Sequence, residues 1–337
     1  MRYYDVIVTG AGPAGLFTAV HLADSLRVLV VESQRFPPTK PCGEILIDHG
    51  YRLVSELDPP PSVFRSQEAI AMRFLARDID TPATEVGTAH TIDRKALSFW
   101  LDDLLASNVE VLEGVRFVGA EARAGEVAVT LRHPGGRIET VGTGLLVGAD
   151  GCLSRVRRNA FGTKPDTVDS IQHLCRARRP PEHADFIFDR KLARDYYVWA
   201  FPRGDDQVLV GCPRDGDRYR AVMEWAHREY AITGAPLRSE RHPIARIRTL
   251  DDIETGSGRV LLVGEAAGLV SPASGEGLSL AFASGRAAAR AISAAPDDPL
   301  PAYREACRPF IDLLAKELEL AERIRTRGRA RTPGRER

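Results

Sequence analysis

Apolar positions near the N-terminus form a short, nearly unbroken run. Tyr4 to Val8 is interrupted only by Asp5, carries β-branched residues at Val6, Ile7 and Val8, and stops at Gly10. This pattern predicts a strand buried on both faces, as in a parallel sheet. A helix is expected over about Pro13–Ser25 and a second strand over Arg27–Val31, ending in Glu32. Residues 45–57 read as helical, and Pro59 to Pro61 break the chain. Strands are expected at Ala69–Leu75, where Met72 and Phe74 alternate with Arg73, and at Thr88–Ile92. Asp93 then caps a helix whose apolar side carries Leu97, Phe99, Trp100, Leu101, Leu104 and Leu105.

Further strands are expected at Val109–Leu112 and Val115–Val118. Val127–Leu131 and Ile138–Val141 flank His133-Pro134-Gly135-Gly136, a hairpin signal. Leu145–Val147 is a buried strand leading into Gly148-Ala149-Asp150-Gly151, and a short basic helix with Arg155, Arg157 and Arg158 follows. From about Thr163 to His242 the texture changes to short β-like runs at Ile171–Arg176, Phe186–Phe188, Tyr196–Phe201 and Gln207–Gly211, with one helix at about Arg218–Tyr230. Alternating runs broken by turns predict an antiparallel sheet inserted in the first unit. The last elements are a strand at Arg259–Gly264, a helix over Leu278–Ala294, and a helix from about Tyr303 with Phe310, Ile311, Leu314 and Leu318 on one side. The alanines and Gly285 of the helix over Leu278–Ala294 suit close packing against a neighbour.

Composition narrows the class without choosing the chemistry. The 337 residues are 44% hydrophobic and 27% charged with zero net charge, so bulk electrostatics give no case for nucleic acid as a partner. Five cysteines without a Cys-x-x-Cys fit a reducing cytoplasm and argue against a disulfide framework or structural zinc. With no His-Glu-x-x-His among eight histidines, no metal is expected. The chain enters its first strand at once, leaving no room for a signal peptide, and no apolar run approaches the ~18 residues of a membrane span. Seven arginines crowd residues 323–337, a segment expected to be disordered that offers a peripheral membrane or acidic-partner contact.

Three glycine-bearing turns carry the candidate chemistry. Gly10, Gly12 and Gly15 form Gly-x-Gly-x-x-Gly between the first strand and its helix. Gly10 permits the turn, Gly12 lets a pyrophosphate approach the backbone, and Gly15 lets the helix pack on the strand. The helix beginning at Pro13 and Ala14 directs its free N–H groups at the phosphates. Glu32, 22 residues beyond Gly10, is placed to bind a ribose hydroxyl and to repel a 2′-phosphate. Asp150 and Gly151 end a second strand, where the acid reaches a ribose or a water. Glu265, in Gly264-Glu265-Ala266-Ala267, ends a third and points toward the ribityl or pyrophosphate side. Gly275-x-Gly277-Leu278 opens a helix whose N-terminus stabilises charge near flavin N1 and O2. A nicotinamide nucleotide alone needs only the first turn, and all three together indicate FAD.

The division that follows is a discontinuous FAD-binding domain, 1–162 with 243–295, of which 69–92 contributes to the substrate side. A β-sheet substrate domain spans 163–242, a C-terminal helix 296–322 and the basic tail 323–337. The fold class is α/β, a Rossmann-like FAD-binding domain with an inserted antiparallel sheet.

The residues resemble the flavoprotein superfamily of aromatic hydroxylases, whose fold is para-hydroxybenzoate-hydroxylase-like, and within it the geranylgeranyl reductase family. Lys40-Pro41-Cys42-Gly43-Glu44 is similar to the reductases' Cys-Gly segment, and Tyr197-Val198-Trp199-Ala200-Phe201-Pro202 to their Tyr-x-Trp-x-Phe-Pro. Ser271 to Leu278 resembles their late FAD motif, and Arg94 falls on their FAD-contacting arginine. The likeness covers about residues 3 to 295. Glu265 stands where the family carries Asp, and the chain ends without the longer C-terminal helical region of archaeal members. Ser33, Cys42, Gly43 and Val115 complete the expected cofactor set.

The resemblance implies hydride transfer from reduced flavin to a C=C bond of an isoprenoid or other apolar small molecule, with NAD(P)H or another reductant as electron donor. Tyr197, Trp199 and Phe201 would wall the substrate pocket, a role that competes with plain sheet core. Cys42 would supply a proton or tune the flavin, against the reading of a buried small hydrophobe. The runner-up is a flavin monooxygenase. A halogenase is less consistent, since no lysine lies between Lys40 and Lys95 and only Trp199 and Pro202 match the relevant motif. A third class, an electron-carrying flavoprotein, needs an exposed flavin edge.

Overall fold

The computed structural model describes residues 1–77, 83–194, 196–204, 206–214, 216 and 218–327, the last five as backbone only. Two sheets organise the chain. In the first, β6 (Val109–Glu113), β2 (Val28–Glu32), β1 (Tyr3–Thr9), β9 (Ile138–Gly148) and β16 (Val260–Leu262) run parallel in that order. The two-residue β15 (Gly256–Ser257) closes one edge antiparallel to β16. Val6, Ile7 and Val8 at its centre are at most 1% exposed, as a strand covered on both faces requires. β7 (Arg116–Arg123) and β8 (Glu126–Arg132) add a meander onto the first half of β9, whose second half pairs with β1. The two expected strands at 138–141 and 145–147 are thus one continuous strand.

α1 (Pro13–Val20) and α6 (Leu278–Ala294) cover this sheet together. Gly285 brings α6 onto α1: a Cβ there would lie 2.7 Å from the Ala14 carbonyl oxygen and 3.0 Å from Thr18 Oγ1. Phe17 and Phe282 meet across the contact with ring centroids 4.8 Å apart. α1 stops before the expected Ser25, because the chain must turn into β2; the Asp5 carboxylate fixes that turn by accepting from Arg27 N at 2.6 Å.

The second sheet runs β14 (Ile232–Arg246), β10 (Asp166–Ala177), β13 (Gln207–Pro213), β12 (Val198–Pro202), β11 (Ala184–Phe188), β4 (Ile70–Ala76), β5 (Thr84–Thr91) and β3 (Ile45–Ile47). All its pairings are antiparallel except β11 with β4. The helix expected over 45–57 is therefore half strand: Ile45–Ile47 pairs with β5, and only α2 (Asp48–Ser55) is helical. Backbone pairing to a distant strand overrides the local pattern. β14 had no counterpart among the expected strands. It is an edge strand with small and polar residues at Thr233 to Pro236 and charged ones at Arg238, Glu240, Arg241 and Arg246, so hydrophobic alternation does not reveal it.

The second sheet's two faces have different tasks. Val198, Ala200, Val208 and Val210 pack under Val222, Trp225 and Ala226 of α5 (Arg218–Tyr230). Trp199, Phe201, Leu209 and Phe186 point the other way, toward the first sheet. α3 (Arg94–Asp103) starts at Asp93, whose Oδ1 accepts from Lys95 N at 2.9 Å and Ala96 N at 3.0 Å, as expected. α4 (Arg155–Phe161) follows β9, and α7 (Leu300–Arg327) packs Tyr303 and Leu314 into the core. α7 takes in the first part of the arginine-rich segment; residues 328–337 of it lie outside the described residues. Among the described residues no helix is long and apolar enough to cross a membrane.

Candidate active site

One cavity of about 640 Å³ lies between the two sheets. Its first wall is the turn after β1. Gly10 has φ of +98°, and its amide donates to the Val31 carbonyl at 2.7 Å. α1 opens at Gly12 with no capping side chain and no acid in its first turn, so its N-terminal N–H groups face the cavity uncompensated. A Cβ at Gly12 would meet nothing within 4 Å, whereas one at Gly15 would collide with the Gly10 carbonyl. Gly12 keeps space open for a ligand and Gly15 closes helix on strand. Glu32, 5% exposed, accepts from Ala11 N at 2.9 Å and Gln34 N at 2.8 Å, which aims its carboxylate across the glycine turn. An uncapped helix start, an open glycine and a buried acid at the end of the neighbouring strand fit a dinucleotide pyrophosphate and ribose.

The opposite wall is aromatic. Tyr197, Trp199 and Phe201, each at most 5% exposed, line the cavity with Phe186, Met72 and Phe74. The Trp199 indole lies over Gly211, its direct partner on β13, where any side chain would occupy the same space. Tyr197 donates from its hydroxyl to the Ser274 carbonyl and stacks on Tyr196, ring centroids 4.6 Å apart. This ties the aromatic strand to the turn that opens α6.

Between these walls lies the segment around Cys42. Burial pushes the Cys42 thiol up, against the pull of Arg94 and the Glu44 amide, so the group is a protonated thiol at neutral pH. The Lys40 amine pairs with Glu265, whose other oxygen accepts from Ala245 N at 3.0 Å. Burial pushes the Glu265 carboxyl up, but Lys40 outweighs it and the net shift is downward. Both partners are charged. Glu265 therefore grips Lys40 and the β14 backbone. Asp150 likewise turns to its own chain, accepting from Ser154 Oγ at 2.5 Å and Arg155 N at 2.6 Å to cap α4, while still lining the cavity.

His242, beside this pair, is held down at about 4, first by burial and then by Lys40. The unfolded chain takes up this proton near 6.5, the folded chain only near 4. The stability His242 contributes is present above pH 6.5 and drains away as pH falls toward about 4. Urea unfolding of a His242→Gln variant over this range is expected to show a shallower acid loss than the parent chain. Identical pH slopes would remove His242 from the account.

All the expected cofactor and pocket residues but one line this single cavity. The exception, Gly15, sits behind it as a packing residue. Ser33, Val115, Arg94 and Leu278, distant in sequence, are brought to the same space. Sequence reasoning assigned no role to Lys40, Gln172, Arg203 or His242. Lys40 stood inside the Cys-Gly segment and Arg203 directly after Pro202, so adjacency to motifs was the available signal. Gln172 and His242 carried none.

Comparison with known proteins agrees with this geometry. The FAD binding domain family matches residues 94–317. A geranylgeranyl diphosphate reductase of Rhodobacter capsulatus is 30% identical over 308 residues, 86% of this chain and 75% of that protein. A geranylgeranyl bacteriochlorophyll reductase-like structure from Thermoplasma acidophilum superposes with a TM-score of 0.76 at 20% identity, covering 98% of this chain and 87% of the other. The p-nitrophenol 4-monooxygenase of Pseudomonas putida gives 0.75 at 16% identity, over 98% and 93% of the two chains. The structural likenesses establish the fold: a Rossmann-like FAD-binding unit carrying a second sheet, para-hydroxybenzoate-hydroxylase-like.

Proposed function

The chain belongs to the geranylgeranyl reductase family of FAD-dependent oxidoreductases, and from this premise we propose that it reduces carbon–carbon double bonds of an isoprenoid or similar apolar small molecule. The observation that carries the reading is the meeting of Cys42 and the Tyr197–Trp199–Phe201 wall in the cavity that holds the glycine turns. Bound and reduced, FAD would supply the hydride for one alkene carbon. The chain's own residues do the rest. Gly12 and the start of α1 would hold the pyrophosphate and Glu32 the ribose, while at the start of α6 the Glu276 carboxylate already accepts from Ser279 N at 2.7 Å. Trp199, Phe201, Phe186 and Met72 exclude water and align the alkene. The Cys42 thiol, kept protonated by burial, gives its proton to the second alkene carbon, and solvent then restores it.

A reduced nicotinamide or a comparable donor would supply the electrons, and the five unpaired cysteines suit a cytoplasmic setting. The test is anaerobic. Enzyme reduced with dithionite is mixed with a prenyl alkene such as geranylgeranyl diphosphate. The expected result is flavin reoxidation without oxygen and a product heavier by two hydrogens per reduced bond. Reoxidation only on admitting oxygen, with a hydroxylated product, would replace this reading with the monooxygenase one.

A further inference from the structure

The Cys42–Gly43–Glu44 segment is held almost entirely by the second sheet. The Cys42 carbonyl accepts from Gln172 Nε2 at 3.1 Å, and the Gly43 carbonyl accepts from the guanidinium of Arg203. Phe201 packs against Gly43, where a Cβ would lie 2.9 Å from Cε2. Glu44 has a left-handed backbone, φ +51°, and its carboxylate is surrounded by Arg203 at 3.3 Å, Arg65 at 3.1 Å and Arg238 at 3.4 Å. Its amide N–H points back at the Cys42 sulfur, 3.3 Å away. Of the three arginines only Arg203 is buried, at 8%; the side chains of Arg65 and Arg238 are 38% and 40% exposed. Arg203 also donates to the Pro202 carbonyl at 2.8 Å, so one guanidinium bridges the end of the aromatic strand and the cysteine turn.

We propose that Arg203 is a positioning residue: it locks Cys42 in register with Trp199 and Phe201 by gripping Gly43 and Glu44. The inference deepens the reading of Cys42 as proton donor. A buried guanidinium is costly unless paired, and here the pairing is with the one turn that must be placed against the aromatic wall. The planar fork reaches a carbonyl on each side and a carboxylate at once. Lysine, a single point charge, serves one of them.

The test uses FAD-loaded protein and iodoacetamide, with each cysteine followed by peptide mass. In Arg203→Gln, Cys42 is expected to alkylate about tenfold faster than in the parent, while Cys212, buried in β13, keeps its rate. Arg203→Lys should fall between, since it keeps the charge facing Glu44. Unchanged Cys42 reactivity in Arg203→Gln, or an equal rise at Cys212, overturns the proposal. Should Arg203→Gln fail to fold, Glu44→Gln supplies the same readout with a smaller expected rise at Cys42, and no rise there is equally fatal. Alkylation needs no substrate, so failure of the reductase reading and failure of this inference remain distinguishable.

Discussion

A Gly12→Ala variant is expected to fold with the stability of the parent chain and to purify without FAD. The backbone at Gly12 has φ of −78°, which alanine adopts freely, and the added methyl meets no protein atom within 4 Å. On the proposed reading, what it meets is the space that the pyrophosphate would take. Overpacking there costs about 3 kcal/mol, or ~100-fold in affinity. Gly15→Ala is the paired control. Its methyl strikes the Gly10 carbonyl, backbone against backbone, so this variant should lose both thermal stability and flavin. The readouts are the flavin absorbance of purified protein, FAD titration and a melting curve. A yellow Gly12→Ala protein with parental affinity would refute the placement of the cofactor at this turn.

The second large effect is expected at Gly211, a residue that never reaches the substrate. Trp199 lies over it, and a Cβ there would overlap the indole. Gly211→Ala should tip the indole into the cavity, narrowing the substrate side while leaving the glycine turns untouched. The expected result is a flavin-replete enzyme with kcat/KM on the prenyl alkene down about 100-fold. Adding Trp199→Phe in the same chain should restore much of the loss, because the smaller ring fits beside the methyl. The double variant is then better than the sum of its parts. Full additivity would mean that Trp199 and Gly211 act independently and that the indole does not shape the cavity.

These two glycines also mark how far the site was legible. Gly12 belongs to a local word: strand, turn, helix, strand and acid within residues 4–32, all made by neighbours in the chain. Asp93 as a helix cap and the span Leu278–Ala294 were legible for the same reason, since capping and helical periodicity are short-range. The aromatic alternation at 197–201 was visible too, but the residue underneath it was not. Gly211 becomes opposite Trp199 only once β12 and β13 choose their register.

The amino-acid order alone determined the two-sheet α/β class, the glycine cradle with Glu32, and the face on which Tyr197, Trp199 and Phe201 stand. Those features follow from backbone sterics and from periodicities of about two and 3.6 residues. Only the folded chain decided that Glu265 grips Lys40, 225 positions away, and that Arg203 holds Gly43 across 160. It also decided that the mixed polar stretch Ile232–Arg246 became the edge strand β14 and that Ile45–Ile47 became a strand. Charge pairing and strand register are relations between distant segments. Their partners are interchangeable in a list of residues and become unique when burial excludes water and leaves each polar group one neighbour to satisfy it.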